Sequence, residues 1–244
     1  MNPIACVYLD EIVTKPCLPK TDEDYDLNTS EALAQHLSTN PDTLSLYQQE
    51  WLTRLPRIPA SVKTLAVRSC RNLVDVGNAL PDGIEIINFY GSSALTTLPD
   101  RLPATLKSLM LNYCVGLTAL PALPAGLRKL DLDDASSIVE VDGIPEGLEE
   151  LSLNRCRSLK RIGKLPSTLT SLCIRECSQL EALSELPPHL KTLFITNSGL
   201  KTLPDLPDTV HILDISGVEH LLSGKKTPKN LHSMIAFGGW LHRG

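Results

Sequence analysis

Hydrophobic positions along this chain recur on a long period. Pro59, Pro81, Pro103, Pro124, Pro145, Pro166, Pro187 and Pro207 stand 20–22 residues apart. An apolar residue follows each proline after three positions (Val62 to Val210), after six (Leu65 to Leu213) and after eight (Val67 to Ile215). All 24 of these positions are apolar, which chance does not produce. A period of this length with an L-x-L core marks a leucine-rich repeat of about eight units.

The pattern dictates the local structure. Apolar residues two apart belong to a short strand with alternate side chains turned inward. Stacked units pair these strands in parallel at ~4.8 Å per step, so seven steps make a sheet ~34 Å long. A proline ahead of each strand cannot sit inside a helix, and so short a unit leaves little room for one. The expected fold is a leucine-rich-repeat solenoid: short parallel β-strands on a concave face, an extended or polyproline-like convex side and an N-terminal helical cap. Eleven residues after each proline come Cys70, Ser92, Cys114, Ala135, Cys156, Cys177 and Ser198, where the chain turns off the strand. A small side chain with a weak donor suits that slot, so these four cysteines read as structural rungs.

Both ends of a solenoid expose a core that must be covered. Residues 1–54 are expected to hold an N-terminal segment and cap, 55–222 the repeats, and 223–244 a C-terminal cap or degenerate ninth repeat. Before Pro59, "TSEALAQHLSTNPDTLSLYQQEWLTRLP" reads as two helices broken at "NPD". The second would lay Leu44, Leu46, Tyr47, Trp51, Leu52 and Leu55 over the first repeat, with Trp51 as its anchor. At the other end Pro228, Leu231 and Met234 keep the spacing, with Phe237 and Trp240 expected to close the stack.

Composition narrows the function. Aromatic residues make up only 4% of the 244 and the formal charge is −5, which speaks against nucleic-acid binding by phosphate neutralisation. Residues 1–54 carry nine acidic and three basic groups, "TDEDYD" at 21–26 among them. The start of the chain has no basic n-region and no stretch is apolar enough for a membrane span. Seven cysteines do not read as a disulfide framework, and a reducing cytosol is the expected setting. Cys173 and Cys177 fall on opposite faces of the unit, Cys173 outward and therefore the thiol expected to react fastest. No metal and no cofactor are expected, and no Ser-His-Asp, phosphate-loop or dinucleotide pattern points to an enzyme.

What remains is a surface. Positions five, seven and nine after each proline should face the concave side. There Tyr90, Met110 and Phe194 stand out as apolar anchors, Asp131, Asp133 and Arg175 as charges, and Asn112 and Asn154 as polar groups, with Tyr113 at a strand end. Apolar anchors bordered by charge suit a protein-binding surface. The expected partner is a protein, with Asp131 and Asp133 selecting a basic rim on it.

The units "LPATLKSLMLNYCVGLTALPALP" (102–124) and "LPPHLKTLFITNSGLKTLPDLP" (186–207), with "LPRIP", "LPALP" and "LPDLP", resemble the L-P-x repeats of bacterial effectors. These are the YopM-like proteins and the recognition domains of IpaH-class ubiquitin ligases. The resemblance covers about residues 41–222. It implies a secreted virulence protein that binds a host protein, reaching the host cytosol without a cleavable signal peptide. Alternatively, it implies an adaptor delivering a bound target to a separate ligase. Two features depart from the family: the ladder is mostly cysteine rather than asparagine, and no Cys-x-Asp of a ligase domain is present. No catalytic residue carries over.

Overall fold

The computed structural model describes residues 30–77, 80–236 and 239–242, with Ser30 and 239–242 described by backbone alone. Among the described residues, helix α1 (Ser30–Ser38) precedes the strands. These are β1 (Thr43–Tyr47), β2 (Thr64–Arg68), β3 (Ile86–Asn88), β4 (Ser108–Met110), β5 (Lys129–Asp131), β6 (Glu140–Val141), β7 (Glu150–Ser152), β8 (Arg161–Ile162), β9 (Ser171–Cys173), β10 (Thr192–Phe194), β11 (Ile212–Asp214), β12 (Ser233–Ala236) and β13 (Gly239–His242). One eleven-stranded sheet runs through all but β6 and β8, in chain order. Every pairing in it is parallel except that of β12 with β13, which closes the sheet as an antiparallel hairpin. The molecule is a parallel-strand β-solenoid of the leucine-rich-repeat type.

The register follows the hydrophobic period. Leu65, Ile87, Leu109, Leu130, Leu151, Leu172, Leu193 and Leu213 lie opposite one another along the sheet. All 24 periodic apolar side chains are 0–1% exposed. Each proline sets the turn into its strand: the Pro59 carbonyl accepts the Val62 N–H at 3.2 Å, and Pro103, Pro145 and Pro187 do the same for Leu106, Leu148 and Leu190. Threonine hydroxyls tie successive turns, Thr168 to the Leu148 carbonyl at 2.7 Å and Thr209 to the Leu190 carbonyl at 2.8 Å.

The cysteine rungs are hydrogen bonded as well as packed. The thiols of Cys114, Cys156 and Cys177 donate to the carbonyls of Phe89, Leu132 and Leu153 in the preceding unit, at 3.1, 3.1 and 2.9 Å. Ser92 makes the same bond to Val67 at 3.2 Å. Burial pushes the thiols of Cys114 and Cys177 up to about 12, so they stay protonated and able to donate.

The N-terminal end departs from expectation. The segment read as a second helix supplies β1 instead, paired with β2 so that Leu44 meets Leu65 and Leu46 meets Val67. "TLSLY" is one more L-x-L strand, 21 residues before "TLAVR"; its leucines are fully buried. Trp51 does not anchor a cap. Its ring is 36% exposed, with Nε1 donating to Gln49 Oε1 at 2.8 Å. At the other end β12 pairs with β11, Met234 opposite Leu213. The expected closure by Phe237 and the Trp240 ring lies outside the described residues.

The convex side is extended for most of its length. There β6 pairs with β8, where Arg161 reaches Glu140 at 2.8 Å and also contacts Asp142, and isolated bridges join Arg54 to Asp75 and Arg101 to Ala122.

Candidate functional site

The concave face is built from the side chains that alternate with the buried leucines. Parallel, in-register pairing stacks them in rows. One row runs Ala66, Asn88, Met110, Asp131, Ser152, Cys173, Phe194 and Asp214. Neighbours in a row are ~4.8 Å apart, and inward curvature of the sheet brings their tips closer still. Each side chain is therefore screened by the next, and facing outward does not mean being exposed.

The centre of the face illustrates this. Asp131 and Asp133 are 7% and 8% exposed, Asn112 9% and Asn154 2%. They form a continuous hydrogen-bonded spine. Asn112 Nδ2 donates to Asp131 Oδ1 at 2.6 Å, and the Asp133 N–H donates to the same oxygen at 3.2 Å. Asp133 Oδ1 accepts the Ser152 hydroxyl at 2.6 Å and the Asn154 N–H at 2.9 Å, while its Oδ2 accepts Asn154 Nδ2 at 3.0 Å. Asn154 Oδ1 then accepts the Arg175 N–H at 3.1 Å. Burial, then the neighbouring charge of Asp133, raises Asp131 to about 6. These carboxylates hold the face together, and the basic rim they were expected to select finds little of them at the surface.

Phe194, expected as an outward anchor, is fully buried. The Arg175 guanidinium lies on its ring, 4.3 Å from the centroid, with one nitrogen 3.6 Å from Asp214 Oδ2. Cation and ring cover each other, leaving the Arg175 side chain 24% exposed. Cys173, in the same row, is 5% exposed, and burial raises its thiol to about 12, as it does for the rungs Cys114 and Cys177.

Towards the N-terminal end the face opens. Tyr90 and Met110 are half-buried and Tyr113 is 41% exposed. The Tyr90 and Tyr113 rings meet edge to face, 5.3 Å between centroids, a favourable aromatic geometry. Val115, 40% exposed, lies just beyond. Beside Tyr113 runs the pair Arg155–Asp134, with Nε to Oδ1 at 2.8 Å and a terminal nitrogen to Oδ2 at 2.6 Å. This bidentate ion pair keeps both groups fixed.

A backbone device that the sequence reading missed sets this rim. Ten residues after each proline the chain adopts positive φ: Ser69, Gly91, Tyr113, Asp134, Arg155, Glu176, Asn197 and Gly217, at 50–82°. In each of the first seven the N–H donates to a carbonyl of the next unit, as Tyr113 does to Asp133 and Asp134 to Asn154, both at 2.8 Å. The left-handed turn swings these side chains off the sheet, which is why Tyr113 is exposed while Asn112 beside it is buried. The clearest hints in the sequence are Gly91 and Gly217, where the residue best suited to that conformation appears.

Among the described residues, no group of three or more His, Cys, Asp or Glu side chains is placed to hold a metal ion, and no helix is long and apolar enough to cross a membrane. Site and fold together define a leucine-rich-repeat solenoid with an aromatic rim on one half of a concave sheet. Among solved structures the chain is similar to YopM from Yersinia enterocolitica WA-314, at 23% identity and a TM-score of 0.39, over 84% of this chain and 57% of that one. The chain thus spans a little over half the length of that protein. No family model and no curated protein matches the sequence.

Proposed function

We propose that this chain is a non-enzymatic protein-binding module whose contact surface is the N-terminal half of the concave face and its rim. Tyr90, Met110 and Tyr113 supply the apolar anchor. The single observation that carries this reading is the edge-to-face pair of Tyr90 and Tyr113, with Tyr113 exposed, beside a central network of internally bonded polar groups. Aromatic side chains with an apolar body and a polar tip are the ones that dominate protein interfaces. Arg155–Asp134 borders the patch, and Arg175 is the cation nearest the centre of the face. Asn112, Asp131, Asp133, Asn154 and Phe194 act beneath it, as the support that fixes its shape. The L-P-x character of the repeats extends the proposal: the partner is a host protein and the chain a bacterial effector.

Photo-crosslinking tests the surface. A benzophenone amino acid replaces Tyr113 in one variant and Lys160, on the convex side, in another. Each is exposed to an extract of eukaryotic cells. An adduct from position 113 and none from 160 is expected. An adduct from 160 alone would place binding on the opposite side.

A further inference from the structure

A second surface lies on the convex side, at the N-terminal end. A cleft of about 790 Å³ opens between the C-terminal half of α1 and three successive proline turns. Its floor is apolar: Ile58 and Leu102 are 6% and 4% exposed, and Leu37 and Leu80 are half-buried. Arg57 and Arg101 line the cleft. Both side chains are exposed, and among the described residues neither makes a hydrogen bond or ion pair, Arg101 meeting Ala122 through its backbone alone. Elsewhere on the convex side several cations are paired, Arg54 with Asp75 at 2.7 Å, Lys201 with Glu181 at 2.7 Å and Lys225 with Asp205 at 2.9 Å. Asp82 also lines the cleft, leaving an excess of positive charge. The carbonyls ending α1 do not oppose an anion: those of Gln35, His36 and Leu37 accept Ser38, Thr39 and Asn40.

The two arginines hold the same slot in units two apart, two residues before Pro59 and Pro103. Two steps of the solenoid span ~9.6 Å. One turn of a polyproline II helix rises ~9.3 Å and returns residue i+3 to the face of residue i. We propose that this cleft binds an extended, polyproline-type peptide of a partner protein with carboxylates three residues apart. One carboxylate meets Arg57, the other Arg101, and apolar side chains between them lie over Ile58, Leu80 and Leu102. Arginine suits the task, since its planar fork pairs with carboxylate through two parallel bonds.

The probe is a fluorescent peptide, Glu-Leu-Pro-Glu-Leu-Pro, titrated with the full chain and followed by anisotropy. Binding should weaken at least tenfold for Arg57→Gln with Arg101→Gln, three- to fivefold for either alone, and at least tenfold when both glutamates of the peptide become glutamine. It should fall steadily with added salt. Both arginine side chains are exposed, so the variants should fold, which circular dichroism checks. Equal binding by the double variant, or no binding by the wild type, would overturn the proposal. Loss of binding in Tyr113→Ala with the arginines intact would move the peptide to the concave face. Much tighter binding after neutralising Asp22, Glu23, Asp24 and Asp26 would assign the cleft to the chain's own acidic run instead. The concave-face reading stands or falls separately, on its crosslinking result.

Discussion

The two halves of the concave face are made by the same rows of the same repeat, yet they offer opposite things to a partner. Around β3 and β4 the outward side chains include the half-buried Tyr90 and Met110, with the exposed Tyr113 on the rim. From β5 to β11 the rows hold Asp131, Asp133, Asn154, Arg175 and Phe194, each pressed against or bonded to its neighbour. Charge at the centre of a binding surface suggests recognition. Here the charged half is bonded within the fold, and the aromatic half carries the exposed Tyr113 side chain.

The sharpest break in that comparison comes from Asp133→Ala. It removes the acceptor for the Ser152 hydroxyl and for two Asn154 donors, leaving the buried Asn154 N–H without a partner and Nδ2 with Ser152 Oγ alone. The expected loss is about 3 kcal/mol in a denaturant melt. Tyr113→Ala, by contrast, should stay within about 0.5 kcal/mol of wild type.

Asp131→Asn should act in the other direction. With its folded pKa raised to about 6 from 3.8, Asp131 keeps its proton in the folded chain where the unfolded chain has lost it. Unfolding then releases a proton, so this group's contribution is fully present below pH ~4 and is lost as pH rises through ~6. Asparagine keeps an oxygen for Asn112 Nδ2 and the Asp133 N–H without a charge. At pH 7 it should therefore stabilise the fold by on the order of 2 kcal/mol. Glu85, Asp205 and Asp208 are lowered by lysine partners and tilt the profile the opposite way. The diagnostic quantity is thus the difference between variant and wild type between pH 4 and 7, and a difference that does not change with pH would contradict the assignment.

A smaller effect is expected at the left-handed rung. Glu176 has φ 56° and a side chain only loosely placed, 3.9 Å from Arg157. Glu176→Gly should gain about 0.5 kcal/mol, because glycine adopts this conformation without steric cost. The subtlest contrast concerns thiols. Native-state labelling of Cys173 should be as slow as that of Cys114 and Cys177, since burial raises all three alike; selective labelling of Cys173 would mean that Arg175 does not cover this row.

Much of the fold was legible because proline and leucine spacing encode direction. The period placed β2 to β5, β7, β9 to β11 and the cysteine rungs on the correct faces. It failed at β1, where Leu44, Leu46, Tyr47, Trp51 and Leu55 satisfy a helical spacing and an L-x-L strand at once and Ser38 stands where a proline would be. The site was less legible, because alternation tells which way a side chain points but not how deep it lies. Phe194 and Tyr90 look alike on that basis, and only Arg175 stacked on one ring separates them. The rim at Tyr113 depended on positive φ, which glycine betrays at Gly91 and Gly217 alone.

Paired measurement of capture and stability tests the division of the face most directly. Tyr90→Ala with Tyr113→Ala and Asp133→Ala are each assayed for partner crosslinking from a benzophenone at Met110, at a temperature where all remain folded, and for their unfolding midpoints. The tyrosine variant should lose the adduct with little change in midpoint, and Asp133→Ala should keep the adduct while losing about 3 kcal/mol. An adduct that survives loss of both tyrosines and disappears with Asp133 would contradict the account.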